Sequence, residues 1–435
     1  MNLRVAVVGI VVVGAWGCAG AGGSSAGGGS ASSGGGSASS GGGSASSGGG
    51  SAASGGGSAA SGGGSATGGG SAASGGGSAA SGGGSAAGGG SASGGGTAQG
   101  SPTIAGCPIF PANHIFNTPI DTLPVHPSSS AFVSKLGAAT IHLDLGQTEN
   151  QSSANYFGIP YNVVNGTTLT WSTVAYTSSD ASLDWMPRDE ADCAVGSAHT
   201  LVSPCLASAA PSPQFPIPPN PLVEGGLLPD VVSSPGGDHH LLMLDSSSCR
   251  LWELYHVYSS TSPAWHIFGS ASFDLRSNAL RPATWTSADA AGFPILPLLL
   301  RADEASSGTI NHALRFTMNQ IRNTYTWPAR HKIGSSVDTT RPPMGQLFRL
   351  KASYAIPAGY STQSKAILTA LKRYGMYLSD VGTELYIQGE PKAAWSSTVF
   401  SQVQTVPASE FEAVDLSAIT SRAGFNPDSA AVPPP

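Results

Sequence analysis

Residues 19–100 are 82 consecutive positions drawn only from Gly, Ser, Ala, Thr and Gln, and nothing in that set can build a core. The stretch repeats GGGSASS or GGGSAAS in seven-residue units, with occasional six-residue ones. It carries no charge and buries no apolar surface, so it cannot offset the entropy of ordering itself. A repeat this short and polar is a flexible tether and not a solenoid. As a coil it has an end-to-end distance of roughly 50 Å, and stretched it reaches about 270 Å. Folding must therefore be sought in residues 101–435, a length sufficient for a sizeable core. No second linker interrupts that segment, which predicts one large domain or two intimately packed ones.

Ahead of the tether, residues 1–17 hold one charge, Arg4, an apolar run from Val5 to Val13, and then small residues around Trp16. The run is shorter than the ~20 apolar residues of a spanning helix and reads as a secretory signal. Gly14-Ala15-Trp16-Gly17-Cys18 resembles a bacterial lipobox, with Ala15 where leucine is usual. That resemblance implies lipidation of Cys18 after cleavage, a membrane partner reached through acyl chains, and, with Ala19 following, the outer membrane in a host that has two. Plain secretion is the alternative.

All 25 acidic residues and 18 of the 19 basic ones lie in residues 101–435, a formal charge of −7 without a basic run. Nucleic acid is thereby excluded as the expected partner. Four further cysteines, Cys107, Cys193, Cys205 and Cys249, suggest two disulfides in an exported domain. Three pairings are open. Cys193–Cys205, closing a short Ser/Ala/Pro loop, with Cys107–Cys249 is the favoured one. There is no CxxC pair, so no thiolate metal site is expected, and no cofactor can be named.

Strand signals outnumber helical ones. Thr140–Leu145 alternates, Tyr161–Val164 is apolar, and Thr167–Thr173 is rich in Thr and Trp. His239–Leu244 and Arg250–Tyr258, separated by Asp245-Ser-Ser-Ser-Cys249, read as a hairpin. Trp265–Leu275, Tyr325–Trp327, Leu347–Tyr354 and Leu385–Gln388 continue the pattern, and Ala209–Pro229, with seven prolines, reads as an irregular loop. Ser361–Tyr374 has helical spacing and a Gly375 stop. Ala290–Glu304 and Ser409–Ala413 are weaker helical segments, and a turn is expected at Asp380–Gly382. The expected fold is mainly β, sandwich or jelly-roll-like, with a few helical insertions behind a disordered Gly/Ser/Ala tether.

Several phrases recur together in a known group. They are Gly237-Asp-His-His240, Cys249-Arg-Leu-Trp-Glu-Leu-Tyr255, Ser277-Asn-Ala-Leu-Arg-Pro282, Ser287-Ala-Asp-Ala-Ala-Gly292, His312-Ala-Leu-Arg-Phe316, Trp327-Pro-Ala-Arg-His331, Pro343-Met-Gly345 and Phe348-Arg-Leu-Lys351. As a set, covering most of Cys107–Asp415, they resemble a group of uncharacterised exported actinobacterial, myxobacterial and fungal proteins. The resemblance implies an exported setting and no particular activity.

Chemistry must be argued from residue types. Asp238 and His240 lie two apart and Glu253 sits on the partner strand, so a carboxylate–imidazole group capable of acid/base work is expected there. A second group comprises His312, Arg315, Trp327, Arg330 and His331, an aromatic plate beside cationic donors of the kind that lines sugar clefts. Asp238, His240, Glu253, His312 and His331 are thus the expected catalytic residues, and Arg315, Arg330 and Trp327 the expected substrate-binding ones. The blander account makes each a salt-bridge or core residue. No GxSxG, HExxH, Walker or GxGxxG motif occurs in residues 101–435. Two readings follow: a surface-tethered carbohydrate-active hydrolase or lyase working on an extracellular or wall polysaccharide, or a non-catalytic polysaccharide-binding or adhesion module on a stalk. Convergence of the acid/base residues on one cleft separates them.

Overall fold

The hairpin around residues 245–249 is the centre of the first of three large sheets. The computed structural model describes residues 101–176, 188–226, 237–259 and 264–435, so the leader, Cys18 and the tether lie outside the described residues. Strand Leu241–Asp245 pairs antiparallel with Arg250–Tyr255, with Leu251 opposite Leu244. Gly269–Asp274 joins one edge antiparallel, and Tyr161–Val164 joins the other in parallel. Residues 241–244 and 251–254 are all buried. Both faces of this sheet are covered, which is why its strands read as continuous apolar runs and not as alternation. Trp252 meets Phe215 and Trp171 edge-on, with ring centroids 5.5 and 5.9 Å apart, the geometry aromatic quadrupoles favour.

A second, six-stranded sheet of short strands runs in the order Tyr258–Ser259, Trp265–Ile267, Ser172–Tyr176, Gln214–Phe215, Cys193–Val195, Thr200–Val202. The third, also six-stranded, runs Phe411–Ala413, Leu347–Leu350, Met376–Asp380, Leu314–Thr317, Tyr386–Gln388, His142–Asp144. It is mixed: Leu314–Thr317 is parallel to Met376–Asp380, and Tyr386–Gln388 is parallel to His142–Asp144. The helix Thr362–Arg373 leads into this sheet. The Ser361 side chain caps it by accepting from Ser364 N–H at 3.1 Å, and its buried face includes Ala366, Ile367, Ala370 and Leu371. Gly375 then turns the chain at φ +73°, where a Cβ would stand 2.4 Å from the Phe348 carbonyl oxygen. Only glycine fits.

The architecture is mainly β with few helices, and the described residues form one compact unit around one apolar cluster from Ile104 to Ala430. Local expectations fare unevenly. Pro294 and Pro297 break the expected helix at 290–304 into a 3-10 turn, Leu296–Leu298, and a short helix, Ala302–Ser307. The segment 409–413 is a 3-10 turn followed by strand Phe411–Ala413. There the Arg349–Glu412 pair at 2.8 Å and pairing with Leu347–Leu350 override helical spacing. Strand Ser172–Tyr176 is displaced from the expected 167–173. Asp380 ends a strand instead of opening a turn. His239, at φ +47°, lies before the strand that begins at Leu241. Among the described residues no helix is long and apolar enough to cross a membrane.

Both favoured disulfides form, Cys107–Cys249 and Cys193–Cys205, closing intervals of 142 and 12 residues. Two such bonds point to an oxidising, non-cytoplasmic setting. Loop-closure entropy makes the longer one the stronger constraint on the unfolded chain. Replacing Cys107 and Cys249 together by Ser should cost about 5 kcal/mol, against about 3 kcal/mol for the Cys193/Cys205 pair. Denaturant unfolding of the two double variants checks the order.

Candidate functional site

Residues 287–296 bridge the first and third sheets, and the polar side chains gather around them. From the first sheet, the Glu253 carboxylate accepts from Ile295 N–H at 2.8 Å and from Leu296 N–H at 3.0 Å. His240, just ahead of that sheet, places Nε2 2.8 Å from the Ala288 carbonyl. From the third sheet, Arg315 Nη2 donates to Asp289 Oδ2 at 2.6 Å, and Ser379 O accepts from Ala291 N–H at 2.9 Å. Arg315 and Asp289 are both fully buried. Arg315 Nη1 also donates to Gln388 Oε1, and Nη2 lies 3.8 Å from Asp380 Oδ2.

Strand alternation explains this gathering. Residues two apart share a face, and register places Thr317 opposite both Asp380 and Tyr386, and Gln388 opposite Asp144. Arg315, Asp380, Gln388 and Asp144 therefore stand on one face of the third sheet. Glu224 and Asp238 approach from the first-sheet side. Glu224 Oε2 is 2.6 Å from His240 Nδ1, and the Tyr255 hydroxyl donates to Asp238 Oδ1 at 3.4 Å.

Five carboxyl groups, Asp144, Glu224, Asp238, Asp289 and Asp380, thus surround two cations. Both His240 nitrogens face acceptors, a carboxylate and a carbonyl, so both carry protons. Burial disfavours the charged ring, but the Glu224 carboxylate outweighs it and holds the imidazolium up to about 9. Glu224 is correspondingly lowered: burial pushes it up, and the charge and hydrogen bond of His240 pull it further down. The remaining acids fare differently. Burial, then the neighbouring Asp289 and Asp238 charges, push Asp380 up to about 7 against the pull of Arg315. Burial and Glu224 push Asp144 up to about 6. Asp238, though exposed at the rim, is also raised, by the desolvation the crowded cluster imposes and by Glu224, against the pull of His240. Ionised and protonated carboxyls thus stand side by side, the arrangement acid/base chemistry needs. Asp380 keeps its side chain 24% exposed and Glu224 keeps 20%, so both are reachable.

Of the residues expected from sequence, Asp238, His240 and Arg315 converge here. Arg315 does so as a buried structural cation and not as an open substrate donor. Glu253 lies beneath the cluster, wholly buried, its carboxylate occupied by the backbone of the 3-10 turn. Burial raises it to about 7 against those donors. His331 touches the edge, with Nδ1 2.9 Å from Ala290 O. The others go elsewhere. Trp327 Nε1 donates to Ser429 O at 2.9 Å, and Arg330 donates to Pro427 O and Asp428 at 2.8 and 2.5 Å. Both clamp the C-terminal segment, so the expected aromatic plate is occupied by the protein's own chain. His312 belongs to another cluster: Nε2 is 2.9 Å from Glu304 Oε2 and 3.2 Å from Arg301.

Asp144, Glu224, Asp289, Asp380 and Gln388 are absent from the sequence expectation. Asp144, Gln388, Glu224 and Asp380 come from segments read as strands, a proline-rich loop and a turn, Asp289 from just ahead of a segment read as helical, and sheet register with the bridging residues 287–296 assembles them. Glu224, a lone acid beside Gly225-Gly226 in a chain only 10% charged, is the one with a visible signal. Among the described residues no three His, Cys, Asp or Glu side chains are placed to hold a metal ion. No protein-family model, curated protein or solved structure matches this chain.

The Glu304 cluster is structural and testable as such. Burial pushes Glu304 up, but Arg301 and His312 prevail and hold it at about 2. Its contribution to stability is present above its unfolded value, 4.5, and is lost as pH falls through about 2. Glu304→Gln leaves Arg301 buried without its carboxylate and should destabilise by about 3–5 kcal/mol. Asp238→Asn, at the exposed rim, should stay within about 0.5 kcal/mol. Urea unfolding at pH 7 compares the two.

Proposed function

We propose that the protein is a surface-tethered, extracytoplasmic enzyme that cleaves glycosidic bonds of an extracellular or wall polysaccharide. The observation that carries this reading is the placing of two partly exposed carboxyls, Asp380 and Glu224, in one cluster, with Asp380 pushed up to about 7 by burial and neighbouring acids and Glu224 lowered by His240. Glycoside hydrolysis uses such a pair. Asp380 gives its proton to the glycosidic oxygen as the C–O bond breaks. Ionised Glu224, held by His240 at 2.6 Å, takes a proton from the water that attacks the anomeric carbon.

Substrate charge follows from the same cluster. Arg315 is fully buried and its terminal nitrogens face Asp289, Asp380 and Gln388, so it is not free to neutralise an acidic sugar. Carboxylates outnumber cations, which disfavours polyuronates and favours neutral glycans. The tether and the lipobox-like Cys18 support attachment to an outward-facing membrane. A stalk-borne binding module would need no acid split of this kind.

A general acid contributes about 10²–10⁴-fold. Asp380→Asn should lower release of reducing ends from a neutral polysaccharide by at least about 100-fold with an unchanged melting temperature. In the wild type only the protonated form works, so turnover should fall as pH rises through about 7. Activity that climbs above that pH, or survives in Asp380→Asn, sinks the assignment. Attachment is tested separately. Cys18→Ser should move the protein from the membrane to the soluble fraction, and wild type already soluble and free of lipid overturns the anchor.

A further inference from the structure

A groove of about 240 Å³ opens beside this cluster, lined among others by Tyr156, Pro160, Tyr161, Leu222, Glu390 and Lys392. Backbone continuity ties it to the site. Leu222 lies two residues before Glu224, and Glu390 lies two residues after Gln388, a spacing of about 7 Å along an extended chain. The Asn162 side chain grips both polar groups of Leu222, at 2.8 and 2.9 Å. Gly389 donates to Asp144 O at 3.1 Å. The walls are thereby fixed relative to the carboxylates.

The groove contains a polar group with no use in the fold. Tyr156 is 6% exposed, and its buried hydroxyl neither donates nor accepts a hydrogen bond. Buried polar atoms are rarely left this way, and one lining a groove calls for a ligand or a water. Around it stand apolar walls, Pro160 and Leu222, and the half-buried Tyr161 ring. A Lys392–Glu149 pair at 2.7 Å sits at the exposed mouth. A pyranose suits that lining, because its C–H faces pack on apolar and aromatic surface while its hydroxyls meet a phenol and a paired charge at the edge. The space equals the liquid volume of about eight waters, enough for one ring and not for a chain. Free ions suit it poorly, since Lys392 is already paired and Glu390 accepts from Ala302 N–H at 2.9 Å.

We propose that this groove is a binding subsite for one neutral sugar unit of the glycan, adjacent to the cleavage point, with the Tyr156 hydroxyl as its inner hydrogen-bond partner. This rests on the glycosidase reading, and the test separates the two. Isothermal titration of Asp380→Asn protein against hexasaccharides of β-1,4-glucan, β-1,3-glucan, xylan and chitin, with oligogalacturonate as the acidic control, measures binding without turnover. At least one neutral hexasaccharide should bind and the galacturonate should not. Adding Tyr156→Phe should weaken the best binder by about 3- to 10-fold with no loss of thermal stability. Val163 lines the same groove and is 47% exposed, so Val163→Trp should fill the space and abolish binding while the domain still folds. Unchanged affinity in Tyr156→Phe and in Val163→Trp overturns the subsite, as does the absence of binding to every neutral hexasaccharide. If binding responds to Tyr156 but the wild type turns over none of the ligands, the enzyme reading fails and the subsite stands. Turnover insensitive to both variants sinks the subsite alone.

Discussion

Arg315 and Asp289, joined at 2.6 Å with neither exposed to solvent, are the interaction on which the rest of the site depends. Burying two charges costs several kcal/mol each unless geometry and further hydrogen bonds offset it. Here the offset is distributed. Asp289 Oδ1 accepts from Ala291 N–H at 2.8 Å, and Arg315 also reaches Gln388 and Asp380. Because the pair joins a strand of the third sheet to residues 287–296, it fixes the segment against which His240 and Glu253 of the first-sheet side are satisfied. Removing either partner would free that segment as well as leave a charge unpaired.

The same pair sets the chemistry. Two clusters in this molecule use similar residue types and reach opposite results. Glu304 has two partners, Arg301 and His312, for one carboxylate, and it is held at about 2. Asp380 shares one guanidinium with Asp289, which holds it closer, and it rises to about 7. The balance of anions to cations, and not burial alone, separates a structural carboxylate from one able to donate a proton near neutrality.

Some features were legible from residue order because they are local. The Ser361 cap, the Gly375 stop, the apolar runs at 241–244 and 251–254, and the two disulfides depend on neighbours in sequence or on parity of cysteines. Helical spacing at 409–413 misled because a tertiary partner, Arg349, and a waiting strand edge outweigh weak propensity.

The remaining distinction is physical. Composition and local pattern by themselves determined that residues 19–100 cannot form a core, that the foldable chain starts near Ser101, and that it is mainly β. Those properties are sums over residues or patterns along short runs, which any reading of the chain can take. Only the tertiary structure decided which charges meet. Asp144, Glu224, Asp289, Arg315 and Asp380 are spread over more than 230 residues and come together through sheet register and one bridging segment. Whether a carboxyl keeps its proton depends on the distance to those partners and on the water excluded around them, and neither is written in the order of residues along the chain.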